Sequence, residues 1–150
     1  IQSETPMEQL ARRSVEPDIA LANGKPTLIE FYADWCQVCR EMPPARLELE
    51  RSTQNRLDVV LVNVDNPRWQ DLVNRYEVNG IPQLNLFSAD GQPRGKSIGL
   101  RKPEELKALS AALIDDQPLP QLRGVGSISS LEGENAVQAT VAQAGPRSHS

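Results

Sequence analysis

Cysteine, histidine and aromatic residues are scarce in this chain of 150 residues, and the scarcity excludes several classes of protein. Two cysteines are too few for a disulfide-rich secreted scaffold. The same two cysteines and a single histidine, His149, do not supply the four ligands of a structural zinc site. The net charge of -4 argues against a nucleic-acid-binding protein, which usually carries a basic patch. We therefore expect no metal site within the chain and no nucleic-acid partner.

Long apolar runs are lacking as well. No stretch approaches the roughly 18 residues that a membrane-spanning helix needs, and no secretory signal pattern is present. Aromatic residues make up only 4% of the chain, yet two of them, Tyr32 and Trp35, lie close to the cysteines. The length suits one domain that buries its own core.

Apolar strands alternate with helical stretches, which predicts an α/β fold. Pro6, after a Thr5 cap, opens the first helix, and the adjacent Pro43 and Pro44 predict a kink in a later one. In chain order we predict helices at 6–15 and 18–22, a strand at 27–32, a helical stretch at 36–52, a strand at 57–64, a helix at 66–76, paired strands at 81–88 and 94–100, and a helix at 103–114. This order predicts a mixed sheet with helices on both faces.

Beyond residue 114 the periodic signal weakens, so we divide the chain into a domain of residues 1–114 and an extension of residues 115–150. Residues 132–150 are small and polar, and we expect most of them to be mobile. The residues give no physical reason to choose between an extension that covers an edge and one that binds a partner. The apolar residues that can lie extended against the domain are Leu119, Leu122, Val125 and Ile128.

Cys36 and Cys39 form a Cys-x-x-Cys pair directly after Trp35. If Cys36 begins a helix, unpaired backbone N–H groups and the helix dipole favour its thiolate. Cys39 then lies one turn further on, where it can resolve the mixed disulfide that Cys36 forms by attack. Two alternatives stay open: an inert bridge that closes a very short loop, and a two-cysteine metal half-site shared between chains.

The segment FYADWCQVCR resembles the active-site segment of thioredoxins. Residues 80–82, GIP, resemble the thioredoxin loop whose proline is cis, and Pro44 matches a proline within the thioredoxin helix. This resemblance covers roughly residues 17–113 and implies the thioredoxin fold. Through WCQVCREMPP, VNVDNPRWQ and QLRGVGSISS, the chain further resembles the membrane-anchored thioredoxin-like proteins of cyanobacteria and thylakoids, the TxlA type.

The resemblance implies thiol-disulfide exchange without a metal or organic cofactor. Cys36 would be the nucleophile and Cys39 the resolving thiol. A cis bond before Pro82 would leave the Ile81 backbone free to pair with an extended substrate strand; the alternative is a simple strand-initial proline. Trp35 would pack against the domain, contact substrate beside Cys36, or do both.

Glu30 aligns with the buried acid of thioredoxins and would relay a proton to or from Cys39. A carboxyl on a buried strand has a raised pKa, which suits that role. The alternation of the strand equally allows Glu30 to face solvent while Ile29 and Phe31 face the core. Leu61 stands where a lysine often pairs with the acid, and without that charge the acid is harder to ionise. Gln37-Val38 replaces the familiar Gly-Pro between the cysteines.

Partners and location also follow from the resemblance. It implies a reductase of lumenal disulfides, including those of apocytochromes, that receives electrons from a CcdA-like membrane thiol carrier. Plant relatives serve cytochrome b6f assembly, and an N-terminal anchor holds the family in the thylakoid membrane with the domain facing the lumen. The alternatives are a disulfide oxidase or isomerase, and a non-catalytic binding module whose disulfide is only structural.

Overall fold

The fold is built on one mixed sheet. A computed structural model describes residues 6–122, 124, 126 and 128–131. Its strands are β1 (Thr27–Tyr32), β2 (Asp58–Asn63), β3 (Gly80–Ile81), β4 (Gln83–Phe87), β5 (Pro93–Ile98) and β6 (Ser129–Ser130). The main sheet has the order β2-β1-β4-β5, in which β1 runs parallel to β2 and the other pairs are antiparallel. The mixed sheet predicted from the sequence is confirmed.

Helices cover both faces of this sheet, as predicted. They are α1 (Pro6–Arg13), α2 (Pro17–Leu21), α3 (Pro43–Thr53), α4 (Gln70–Arg75) and α5 (Pro103–Ile114). One apolar cluster joins α3 and α5 to the sheet, and a second joins α1, α2 and α4 to it. Every residue of β1 is consequently buried, because neither face of the strand meets solvent. No helix in the described part of the chain is long and apolar enough to cross a membrane.

Most predicted elements are confirmed, with small shifts at their ends. β1 and α5 match the predicted ranges 27–32 and 103–114. α1 ends at Arg13, before the predicted limit, and α2 begins one residue early at Pro17. Such differences are within the usual uncertainty of helix ends. The predicted Thr5 cap lies outside the described residues.

The prediction that a helix begins at Cys36 is wrong. Residues 34–38 form turns, Cys39–Glu41 form a short 3₁₀ helix, and α3 starts only at Pro43. Pro43 and Pro44 have no N–H, so two consecutive bonds of a regular α-helix cannot form there. At the first turn of a helix those N–H groups have no intrahelical partner, and proline is tolerated. The prolines therefore start a helix here rather than kink one.

Two other predicted elements are divided in the structure. The helix predicted at 66–76 is a 3₁₀ helix at Pro67–Trp69 followed by α4, and the Asn66 side chain accepts a hydrogen bond from the Arg68 N–H at 3.0 Å. The strand predicted at 81–88 is interrupted at Pro82, which separates β3 from β4. The hairpin between β4 and β5 is confirmed, and its turn contains Gly91 at a φ of 82°.

The extension lies against the domain, which is one of the possibilities that its spaced apolar residues left open. Leu119 is buried in the α3–α5 cluster, and Leu122 packs on the same cluster. Ile128 lies over Gly80, and β6 pairs antiparallel with β3. Val125 lies outside the described residues. Residues 132–150, which were expected to be mobile, lie outside them as well. The division into residues 1–114 and 115–150 stays a prediction.

Candidate active site

Cys36 and Cys39 are joined in a disulfide, with their Cα atoms 5.2 Å apart. Both residues are fully buried. The Cys39 N–H donates a hydrogen bond to Cys36 Sγ at 3.1 Å. In the reduced chain, a donor on this sulfur favours the thiolate form of Cys36. A turn, and not the expected start of a helix, therefore supplies the backbone N–H group that stabilises the Cys36 thiolate.

The peptide bond between Ile81 and Pro82 is cis, as the thioredoxin resemblance implies. It places the Ile81 carbonyl oxygen 3.8 Å from Cys36 Sγ. Ile81 and Pro82 are both buried. The structure thus brings the predicted docking residues and the predicted nucleophile together at one point.

The backbone of Ile81 is not free, contrary to the sequence prediction. Ile81 lies opposite Ser129, and Gly80 lies opposite Ser130. The reason is the extension, whose path could not be read from the sequence because Ser-Ser is a weak strand signal. The predicted substrate edge is occupied by the chain itself.

Trp35 lies at the surface beside the disulfide, with 49% of its area exposed. Its indole Nε1–H donates a hydrogen bond to Asp65 Oδ2 at 2.8 Å. Sequence reasoning missed Asp65. A signal was present, because β1 and β2 are parallel with Tyr32 opposite Asn63, so residues that follow the two strands meet at one edge. The contact holds a flat apolar surface next to Cys36.

Glu30 is buried, with only 1% of its area exposed, which excludes the solvent-facing alternative. Its Oε1 accepts a hydrogen bond from Arg46 Nη1 at 2.6 Å, and both side chains are almost fully enclosed. Leu61 lies opposite Glu30 on β2, so this position supplies no lysine to pair with the acid. The acid has a cationic partner on another element, Arg46, which the sequence analysis did not anticipate.

Arg46 could have been found from helical spacing. It lies three residues before Leu49 and seven before Thr53, and all three are on the buried face of α3. Arginine was passed over because long charged side chains usually stay exposed. Its Nη2 also lies 3.5 Å from Met7 Sδ, so the guanidinium is fixed between α1 and β1.

The pKa of Glu30 is raised, chiefly because burial disfavours its charged form. Arg46 opposes this shift by charge and by its hydrogen bond, and Glu50 adds to it by like charge. The hydrogen bonding is consistent with this raised pKa, because Oε2 receives no hydrogen bond from the described residues and only one carboxylate oxygen is satisfied. A buried acid of this kind suits a proton relay.

Metal ligands are not gathered anywhere in the part of the chain that the structure describes. There, no three His, Cys, Asp or Glu side chains are placed to share an ion. His149 lies outside those residues. The expectation that the protein works without a metal or organic cofactor stays a prediction.

Comparison with known proteins identifies the family. The thioredoxin family model matches residues 9–112. The chain is 38% identical over 144 residues to the thiol:disulfide interchange protein TxlA of Synechococcus elongatus, covering 96% of this chain and 75% of that protein. It is 36% identical over 144 residues to the thioredoxin-like protein HCF164, chloroplastic, of Oryza sativa subsp. japonica, covering 95% of this chain and 53% of that protein.

Solved structures agree with this assignment. A mutant thioredoxin from Halobacterium salinarum NRC-1 has a TM-score of 0.58 and 30% identity, covering 71% of this chain and 90% of that one. The TxlA-type resemblance seen in the sequence is confirmed by the two relatives above. Together with the Cys36–Cys39 disulfide, these matches show that the chain belongs to the thioredoxin family and is a thiol-disulfide oxidoreductase.

Proposed function

We propose that this domain reduces disulfides of lumenal proteins, including apocytochromes, with electrons from a CcdA-like membrane thiol carrier. The names of the relatives support this: one is a thiol:disulfide interchange protein, and the other is chloroplastic. The native protein would be anchored in the thylakoid membrane by a segment that precedes these residues. The observation that carries the chemistry is the Cys36–Cys39 pair with a backbone N–H on the Cys36 sulfur.

The first half-reaction begins at Cys36. Its thiolate, stabilised by the Cys39 N–H, attacks one sulfur of the client disulfide. A bond forms between Cys36 Sγ and that sulfur, the client S–S bond breaks, and the leaving sulfur departs as a thiolate that takes a proton. The product is a mixed disulfide between Cys36 and the client.

The second half-reaction begins at Cys39. Its thiol loses a proton, and the resulting thiolate attacks Cys36 Sγ. The mixed disulfide breaks, the client leaves with both of its cysteines reduced, and the Cys36–Cys39 bond of the structure forms. Two electrons have passed from the domain to the client, and the carrier restores the dithiol by the reverse exchange.

Glu30 is the group that we assign to the proton of Cys39. Burial raises the pKa of this carboxyl, which brings proton uptake closer to neutral pH than an exposed glutamate allows. Arg46 limits the rise, so the carboxyl can also return the proton. The pair would thus serve both directions of exchange.

Client binding uses the two surfaces beside Cys36. The exposed Trp35 ring offers a flat apolar contact that Asp65 holds in place. The Ile81 backbone, next to Pro82, would offer strand pairing once its present partner Ser129 is displaced. A thiol on such a strand would lie close to Cys36, because the Ile81 carbonyl oxygen is 3.8 Å from its sulfur.

The redox potential of the Cys36–Cys39 couple tests the direction of exchange. The chain is equilibrated in dithiothreitol buffers and its thiols are counted by alkylation, with Cys36→Ser as the control. A value near the thioredoxin level, about -270 mV, supports a reductase. A value near about -120 mV contradicts it and indicates a disulfide-forming enzyme.

The two single-cysteine variants test the assigned roles. Cys39→Ser should accumulate a mixed disulfide with a client, because the second half-reaction cannot follow. Cys36→Ser should form none, although it retains one cysteine like its counterpart. Insulin reduction with dithiothreitol separates catalysis from binding, because a non-catalytic module would not accelerate insulin precipitation.

A further inference from the structure

The extension returns to the redox site along the end of β5. Arg101 Nη2 donates to the Gly124 carbonyl at 2.7 Å, and the Gly126 N–H donates to the Ile98 carbonyl at 3.0 Å. The chain then reaches β3. We define the tail segment as the described residues of this last part: Gly126, Ile128, Ser129, Ser130 and Leu131.

The tail segment pairs with β3 in an antiparallel ladder, and its register shows which residues are hydrogen-bonded. The Leu131 N–H donates to the Asn79 carbonyl at 2.8 Å. In an antiparallel pair, hydrogen-bonded positions alternate with non-bonded ones. Because Gly80 lies opposite Ser130 and Ile81 opposite Ser129, the next hydrogen-bonded pair is Ile81 with Ser129. The tail segment therefore occupies the main-chain groups of Ile81 that an incoming client strand would use.

Two glycines allow the tail segment to make close main-chain contact with the end of β5. A Cβ atom on Gly126 would lie 2.1 Å from the Leu100 carbonyl oxygen, and one on Gly99 would lie 2.5 Å from the Gly126 carbonyl. Neither distance is possible for real atoms, so only glycine at these positions lets the two segments of the chain approach this closely. Close main-chain contact at these two glycines therefore helps to fix the position of the tail segment.

The tail segment also packs on the apolar cluster to which the reactive cysteine belongs. Leu131 packs against the apolar cluster that contains Cys36, Cys39 and Ile81. Cys36 is fully buried. Exchange requires the attacking and attacked sulfurs to meet, and a sulfur with no exposed surface cannot meet one on another protein. Some part of this enclosure must move before Cys36 reacts.

We propose that the tail segment is a built-in competitor of the client strand, and that exchange at Cys36 requires it to leave β3. This inference rests on the proposed function, since the reaction it controls is disulfide exchange with a client. The ladder is short and its residues are half-buried, so a client strand can displace it. The favoured client offers an extended segment beside its cysteine, because only such a segment replaces the lost hydrogen bonds of Ile81.

Gly126→Asn and Gly124→Asn in the full chain form a matched test. At Gly126 the new Cβ clashes with the Leu100 carbonyl and unseats the tail segment. At Gly124 no described atom lies within 4 Å of the new Cβ, and its φ of 54° suits asparagine. The readouts are the rate at which iodoacetamide alkylates reduced Cys36, followed by mass spectrometry, and the rate of insulin reduction.

We expect Gly126→Asn to raise both rates about tenfold, as loss of two ordinary ladder hydrogen bonds predicts, and Gly124→Asn to stay within about twofold of the native chain. Equal rates for the native chain and Gly126→Asn would overturn the proposal, as would an equal gain in Gly124→Asn. If Gly126→Asn does not fold by circular dichroism, Leu131→Ser decides: a gain of about threefold supports the proposal and no gain overturns it.

The two readouts keep this inference separate from the proposed function. Alkylation depends only on access to Cys36 and not on any client. If Gly126→Asn is alkylated faster while no variant reduces a protein disulfide, the tail segment closes the site but the reductase function fails. If insulin is reduced equally fast by all variants and alkylation does not change, the reductase stands and the tail proposal fails.

Discussion

Two carboxylates each accept a hydrogen bond from a side chain of another element, and their settings are opposite. Asp65 lies at the surface and accepts one hydrogen bond from the half-exposed Trp35. Glu30 is enclosed in the core and is paired with an arginine that is enclosed as well. In water, the loss of a partner is compensated by solvent; in the core, it leaves a charge with nothing to stabilise it. The comparison teaches that a carboxylate at the surface can lose its partner at little cost in stability, whereas one paired in the core cannot.

Arg46→Met should give the largest effect, because it leaves Glu30 buried without its cation. Breaking a buried ion pair by removing one partner costs about 3–5 kcal/mol of unfolding free energy. Urea denaturation at pH 8, where the carboxyl is most ionised, measures the loss. The double variant Glu30→Gln/Arg46→Met is the control, since it removes both charges and should recover most of the stability. A double variant as unstable as Arg46→Met would assign the loss to the arginine stem instead.

Glu30→Gln should slow exchange, and it should also lower the free energy of unfolding, because the Arg46 guanidinium is left buried without its carboxylate. A positioned acid-base group contributes at least about 100-fold to a proton transfer, and glutamine cannot carry the proton. The rate of the second half-reaction is measured by release of client from a preformed mixed disulfide at pH 6 to 9. Glu30→Asp is the matched control and should retain part of the rate. A native rate and pH profile in Glu30→Gln would remove Glu30 from the mechanism.

The contribution of Glu30 to the free energy of unfolding should fall with rising pH. The pKa of Glu30 is raised in the folded state, so above the ordinary glutamate range the folded chain holds a proton that the unfolded chain has lost. The contribution of Glu30 is therefore complete at low pH and is lost as pH passes through the folded pKa. Its slope is at most about 1.4 kcal/mol per pH unit.

The difference between the native and Glu30→Gln unfolding free energies, measured in urea from pH 4 to 8, tests that sign. We expect the difference to decline with rising pH. An increase would mean that Arg46 outweighs burial and that the pKa of Glu30 is lowered.

Asp65→Ala should give the smallest effect. Loss of one exposed hydrogen bond releases the Trp35 ring and should reduce the rate of client reduction roughly two- to fivefold, with the fold intact. Asp65→Asn keeps an acceptor and should behave like the native chain. Fluorescence of Trp35 in a Trp69→Phe background reports whether the ring has moved. A change in unfolding free energy as large as that of Arg46→Met would erase the contrast between the two carboxylates.

The sequence was sufficient for those parts of the fold in which local pattern and tertiary packing agree. β1, the hairpin of β4 and β5, and α5 all follow from apolar periodicity and turn residues. The burial of Glu30 could not be read from alternation, because β1 is covered on both faces and Leu28, Ile29 and Phe31 are all buried too. There only the family resemblance gave the right expectation.

Three of the misses share one physical cause, which is contact between residues far apart in sequence. Arg46 reaches Glu30 from another element, Asp65 meets Trp35 across parallel strands, and β6 pairs with β3 although serine carries little strand preference. In each case the partner, rather than the local sequence, determines the conformation. The roles assigned to Glu30, Trp35, Ile81 and Pro82 stay predictions until the variants are measured.

The double proline at the start of α3 loosens the connection between the redox turn and the helix. Pro43 and Pro44 have no N–H, so they cannot continue the hydrogen-bond ladder of α3 back toward the cysteines. Met42 still joins the two, because its carbonyl accepts a hydrogen bond from the Arg46 N–H at 3.0 Å and its side chain is buried in the α3–α5 cluster. Met42 therefore links the redox state of the disulfide to the packing of the core.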